Sequence, residues 1–296
     1  MGRRGLNVEA GTPGMLIAWL ALAACEEELP EPSPGGSANY SRSLGSEPDF
    51  SSPSGRIEMT VWLPYEVVYL SGSFADGPPL KFQVESERIG QCRLLSYSPS
   101  VCTPSCEGTD QCIDEQCQSW PERQDRGEMH WAWPDGDQQV APDALLSYAA
   151  EGEAFQTGEA SISFEEVELE SPMIEAAEPA GDWSSALVQR GDGDGVLRWS
   201  NPVEHARVRL YMTDCAGSHG GVGVAELECE GPDTGEITVA GSFLDALDAG
   251  DWTHGECGSQ TLERYHAAAP VVAEEIDASI RFETVAETGL FYWPEG

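Results

Sequence analysis

The sequence predicts an all-β fold, antiparallel and sandwich-like, with a small disulfide-rich module inserted into it. Two observations carry this expectation: apolar residues recur with period two, and a tight run of cysteines interrupts the period-two segments. Ile57, Met59, Val61 and Leu63 alternate with Glu58, Thr60 and Trp62. Leu80, Phe82 and Val84 alternate with Lys81, Gln83 and Glu85, and Ala206, Val208, Leu210 and Met212 with Arg207, Arg209 and Tyr211. The cleanest alternation sets Ile276, Ala278, Ile280 and Phe282 against Asp277, Ser279, Arg281 and Glu283. Neighbouring side chains of a strand face opposite ways, so each segment is expected to bury one face and wet the other, as in antiparallel sheet. Turns rich in Gly and Pro, such as Asp76-Gly77-Pro78-Pro79, separate them. One helix is expected over 243–247, with Ser242 as its cap and Asp245 completing a capping box.

The N-terminus reads as an export signal. Arg3 and Arg4 precede the apolar run Met15 to Ala24. Ten residues make a helix of about 15 Å, roughly half the hydrocarbon thickness of a bilayer, too short to remain as a span. The run ends in Leu22-Ala23-Ala24-Cys25, which resembles the lipobox of bacterial lipoproteins. A thiol at that place can take a diacylglyceryl group as a thioether, and the amine freed by cleavage can be acylated. At about 0.8 kcal/mol per buried methylene, two or three chains form a durable anchor without any membrane helix. Glu26 follows, not the aspartate that in such lipoproteins signals inner-membrane retention, so the resemblance implies the outer membrane. Arg3-Arg4-Gly5-Leu6 leaves a twin-arginine route open beside the general one.

The chain has 15 Lys and Arg against 52 Asp and Glu, for a net charge of −37. Such a surface repels nucleic acid and anionic lipid headgroups. The expected partner is therefore the membrane through the N-terminal lipid, with an envelope protein or a glycan as a further partner; nucleic acid is excluded. The segment 26–55 has Pro, Ser or Gly at 17 of its 30 positions and no apolar period, which predicts a disordered tether spanning roughly 30 Å. The expected organisation is a signal peptide at 1–24, the lipidated N-terminus and tether at 25–55, and strands at 56–97. A cysteine-rich module at 98–120, a β region at 121–178 and a sandwich-like region at 179–296 follow.

Nine cysteines suit an oxidising compartment. Cys102, Cys106, Cys112 and Cys117 enclose almost no apolar residues, so the segment needs staples; their spacing lacks Cys-x2-Cys and the run holds no histidine, against zinc. With Cys25 lipidated, Cys92, Cys102, Cys106, Cys112 and Cys117 form an odd set, and so do Cys215, Cys229 and Cys257. If all eight pair, at least one disulfide crosses between the sets. The four-cysteine run closing on itself leaves Cys92 for the crossing bond, to one of the three late cysteines. Cys92-Arg-Leu-Leu, Cys102-Thr-Pro-Ser-Cys106, Cys112-Ile-Asp-Glu-Gln-Cys117 and the Trp-Pro after them resemble a dickkopf-like or EGF-like module of Gram-negative envelope lipoproteins, which is followed there too by β-rich sequence. The stretch from Cys229 to Val239 resembles their C-terminal part. The resemblance implies location and folding style and carries no activity with it.

Little else points to chemistry. None of His130, His205, His219, His254 and His266 lies in His-Glu-x-x-His. Ser218 beside His219 lacks a Gly-x-Ser-x-Gly elbow and reads as loop. Asp192-Gly-Asp194-Gly fails as an EF-hand, because Val196, Leu197 and Val203 fall where an oxygen ligand, glycine and glutamate are needed; a turn between Leu187-Val188 and Val196-Leu197 is expected. Trp131 and Trp133 share a strand face with Met129, as buried core or as an exposed platform for sugar rings. The expectation is an anchored structural or interaction module without catalysis or cofactor, with a glycan- or calcium-binding protein as the alternative and a hydrolase as a distant third.

Overall fold

The period-two segments become strands, which account for 56% of the described residues against 7% for helix. A computed structural model describes residues 36–81, 83–97, 101–108, 110–113, 115–180, 187–189, 193–213, 225–248 and 260–289, all within the unit Pro32–Gly296. No helix among them is long and apolar enough to cross a membrane. The main sheet runs β10 (Ser147–Glu153), β3 (Val67–Phe74), β2 (Gly55–Trp62), β21 (Ile280–Gly289), β19 (Gln260–Val272), β16 (Arg207–Thr213), β17 (Ala225–Pro232), β5 (Cys92–Tyr97) and β4 (Gln83–Ile89). Its pairs are antiparallel except β2 with β21, which run parallel from Gly55 opposite Ile280. Two short strands, β1 (Ser37–Asn39) and β20 (Glu275–Ile276), pair with β19. Strands from 56–97, 121–178 and 179–296 are thus interleaved in one sheet.

One face of this sheet carries two smaller sheets. The first orders β12 (Val167–Pro172), β11 (Glu159–Phe164), β8 (Met129–Trp133) and β9 (Gly136–Val140). Its inward residues Trp131, Ile162 and Leu169 close a core with Ile57, Met59 and Leu70, all 1% exposed or less. The second joins β13 (Glu178–Pro179), β14 (Leu187–Gln189) and β18 (Glu236–Val239) to β15 (Gly195–Ser200). With helix α2 (Gly241–Asp248) it covers Val208, Leu210, Leu227 and Leu262. The alternation of 57–61 and 206–212 places these apolar side chains as expected. A side chain added at Gly72 would put its Cβ 2.2 Å from the Arg56 carbonyl, so the close approach of β3 to β2 requires glycine there.

The opposite face departs from expectation. Arg207, Arg209, Arg281 and Glu283, assigned by alternation to water, are buried. Their cover comes from the segment expected to be a tether. From Ser37 that segment is ordered: β1 pairs with β19, and α1 (Tyr40–Ser43) follows, with Asn39 Oδ1 accepting from the Arg42 amide. Tyr40 and Phe50 are 8% exposed. The physical reason is polar pairing. Arg207 donates to Glu230 and to the carbonyls of Gly45 and Glu47, Glu230 accepts from the Asp49 amide, and Arg281 donates to Asp49, to the Tyr40 hydroxyl and to Ser51. The low apolar content of 36–54 hid a strap that binds through its backbone.

Other details differ locally. The strand after Leu80 begins at Gln83 and is the exposed edge of the main sheet, so Val84 faces solvent. Asp277 and Ser279 form a turn between β20 and β21, ending the clean alternation early. Helix α2 starts one residue before the expected cap: the Phe243 and Leu244 amides donate to the Ala240 carbonyl, so Ser242 lies inside the first turn.

Cys92 and Cys229, opposite each other on β5 and β17, are bonded. In the module, Cys102 joins Cys112 and Cys106 joins Cys117 across the hairpin of β6 (Gln111–Ile113) and β7 (Gln116–Gln118). The sulfurs of Cys102, Cys106 and Cys117 lie within 4.8 Å of one another, but as disulfides they offer no thiolate to a metal. Cys25, Cys215 and Cys257 lie outside the described residues. The Cys92–Cys229 bond closes a separation of 137 residues, worth about 5 kcal/mol in the chain-entropy account. Replacing both cysteines by Ala is expected to lower the midpoint of thermal unfolding by ~10 °C. An unchanged midpoint in calorimetry would assign the bond no role in stability.

Candidate functional site

Where the strap stops short of covering the ionic face, a cavity of about 380 Å³ remains. Its floor is the main sheet, with Arg56 and Gly72 from β2 and β3, Arg93 from β5, Arg209 and Tyr211 from β16, Glu228 from β17, and Arg281 and Glu283 from β21. One wall is the strap at 49–54. The other is Trp120, Pro121 and Arg123, the chain leaving the cysteine-rich module. That exit is held beside the end of β3: the Asp76 amide donates to the Glu122 carbonyl and the Gln124 amide to the Phe74 carbonyl. The module therefore places Trp120 and Arg123 at the cavity rim.

Charge pairing fixes the floor. Arg209 grips Glu283 with Nη1 at 2.7 Å and Nη2 at 2.9 Å, and its guanidinium lies 3.7 Å from the Tyr265 ring centroid. Arg56 donates from Nε to Glu283 at 3.1 Å and pairs through Nη2 with Glu58 at 2.7 Å. Arg93 pairs with Glu228 and lies 4.3 Å from the Phe50 ring centroid. Arg123 donates from Nη1 to the Leu145 carbonyl and to Ser147. Bidentate guanidinium–carboxylate pairs with desolvated partners are among the stronger polar contacts available to a protein.

Burial alone would raise the Glu283 carboxyl, but Arg209 and Arg56 outweigh it and hold it at about 2. Glu263, also beside Arg209 but at 3.7 Å, gains less from that charge, and burial pushes it up to about 7. Burial raises the Tyr211 hydroxyl well above its usual range, so it stays a neutral phenol. Among the described lining residues are serines but no histidine. Ser51 is engaged by Arg281 and Asp49. The arrangement can hold an anion.

The residues singled out in the sequence lie elsewhere. Trp131 is fully buried, with its ring nitrogen 3.3 Å from Met59 Sδ. Trp133 stacks at 4.2 Å on Trp131, donates to the Glu153 carbonyl and lies against Gly136 and Gly152. Trp131 is core and Trp133 is half-buried against it, so the two do not form an exposed platform. Asp194 Oδ1 accepts from the Gly241 amide at the start of α2, and β14 and β15 pair around the expected turn, though 190–192 lie outside the described residues. His130 stands 3.3 Å from Asp137 at the surface, and burial drives His266 down to about 4. Ser218, His219 and His254 lie outside the described residues. The cleft arginines were legible only as arginines at alternate strand positions in a chain poor in basic residues.

The raised Glu263 gives a pH signature. Its folded pKa is above the unfolded value, so folding takes up a proton between about pH 4.5 and 7, and stability falls as pH rises through that window. Glu263→Gln is expected to gain on the wild type by up to about 3 kcal/mol from pH 4.5 to 8. Parallel stability curves in denaturant titrations would show that Glu263 titrates alike in both states. Comparison of the chain with family models, with curated proteins and with solved structures returns no match.

Proposed function

We propose that this chain is an exported bacterial envelope protein, lipid-anchored through Cys25 and placed in the outer membrane, whose folded part is an interaction module and not an enzyme. The observation that carries the proposal is Leu22-Ala23-Ala24-Cys25 at the end of a short apolar run. Three disulfides among the described residues support an oxidising compartment. The likeness of the cysteine-rich segment to a module of Gram-negative envelope lipoproteins supports the same location. From Gly36 onward the chain is bound to the main sheet, so ten residues, 26–35, separate Cys25 from the described fold. The folded part is then held close to the membrane surface.

A second reading, a ligand-binding lipoprotein, gains from the cavity on the ionic face. It no longer draws on Trp131, which is core, with Trp133 stacked half-buried on it.

The anchor is tested by expressing the full chain in a Gram-negative host with labelled palmitate. The wild type is expected to incorporate label and to partition into detergent phase, and Cys25→Ala to do neither. Equal labelling of both forms would overturn the proposal.

A further inference from the structure

We propose that the arginine-lined cleft binds an acidic sugar, a hexuronate-type monocarboxylate either free or at the end of a glycan. The inference deepens the ligand-binding reading and stands on the cleft alone, not on the anchor.

The first support is where the positive charge lies. The chain has 15 basic residues against 52 acidic ones, yet Arg56, Arg93, Arg123, Arg209 and Arg281 line this one cavity. An anion approaching a surface of that net charge is repelled except where the local field is reversed. The described lining acids are Asp49, Glu228 and Glu283, and Glu58, Glu85 and Glu263 stand beside Arg56, Arg93 and Arg209, so the charges of the floor are largely matched by the protein's own acids. Arg123 differs: its described partners are a carbonyl and a hydroxyl. One guanidinium so placed at the rim suits a single carboxylate.

The second support is donor availability. Arg209 and Arg281 are 5% and 2% exposed, and their donors are committed to Glu283, Asp49, Tyr40 and Ser51. Arg56 is 38% exposed and commits Nε and Nη2 to protein partners; Arg123, on the exposed wall, commits Nη1. Each guanidinium carries five N–H donors in a planar fork that fits a carboxylate. Among the described residues Arg56 on the floor and Arg123 on the wall therefore keep N–H groups for a ligand, and the buried pairs behind Arg56 fix its position.

The third support is the rest of the wall. Phe50, Pro53, Pro79, Trp120 and Pro121 offer apolar surface, and Ser52, Ser54 and Ser73 offer hydroxyls. A pyranose presents C–H faces to the former and hydroxyls to the latter, as amphipathic ligands need. The cavity volume of about 380 Å³ is at the small end for ligand sites, which favours one or two rings over a long chain.

The test is titration calorimetry on the purified full-length protein in non-ionic detergent, with galacturonate, galactose, trigalacturonate and inorganic phosphate. Galacturonate is expected to bind saturably, and galactose at least tenfold more weakly, because the charged hydrogen bonds are lost. Arg123→Gln is expected to weaken galacturonate about tenfold or more without moving the thermal midpoint, and Arg56→Gln to act in the same direction. Trigalacturonate binding more tightly than the monomer assigns the site to a glycan end; equal affinities assign it to the free sugar acid. Absence of saturable galacturonate binding, phosphate binding as tightly, or an unchanged affinity in Arg123→Gln would overturn the proposal. Loss of palmitate labelling would leave these results untouched, so the two readings fail separately.

Discussion

The buried pair of Arg207 and Glu230, 1% and 0% exposed, is the constraint on which the rest of the polar face depends. Moving two such charges out of water costs several kcal/mol each unless they are paired and their remaining donors and acceptors are satisfied. The sheet supplies the pairing and the Tyr265 hydroxyl, which donates to Glu230 at 2.7 Å. It does not supply the remaining acceptors for Arg207. Those are the carbonyls of Gly45 and Glu47, and the Asp49 amide completes Glu230. Strap and pair thus stabilise each other: without the strap the charges would be half-satisfied, and without the charges the strap has few apolar side chains to hold it.

The main sheet is consequently buried on both faces by different physics. One face excludes water with Val, Leu, Ile and Phe, whose contact is tolerant of direction. The other uses Arg, Glu and Tyr, whose contacts are directional and fix register. Arg264, on β19, carries that logic to the other face beside Val208 and Ala286, donating to the carbonyls of Glu175, Ala176, Ser200 and Asn201 while facing Asp233 at 2.8 Å. One arginine there holds the loops that lead into β13 and out of β15. Leaving part of the ionic face uncovered yields a concave surface whose charge is already organised.

How much of this was legible follows from the kind of contact involved. Period two located the strands because alternation is a local property, and it assigned the apolar faces of 57–61 and 206–212 correctly. Alternation could not say that Arg209 and Glu283 meet, since they stand 74 residues apart in sequence and only the β16–β19–β21 order brings them together. The strap was hidden for a related reason: part of its hold comes from backbone carbonyls, which every residue has, and the partner of its Tyr40, Asp49 and Ser51 side chains, Arg281, stands more than 200 residues away. Parity of the cysteines directed attention to Cys92, and strand register supplied Cys229 as its partner. The cleft was not legible, because its arginines come from four strands and a loop.

The parallel pairing of β2 with β21 has a consequence for biogenesis. Gly55 lies opposite Ile280, so β2, which can pair early with β3, finds its second neighbour only once β21 has been made. Contacts so distant in sequence form late and slowly. A nascent chain of this design stays open until its last strand arrives, and the Cys92–Cys229 bond likewise awaits the second half. If the chain is exported, as proposed, and crosses the membrane unfolded, such a delay helps to keep it competent for transport.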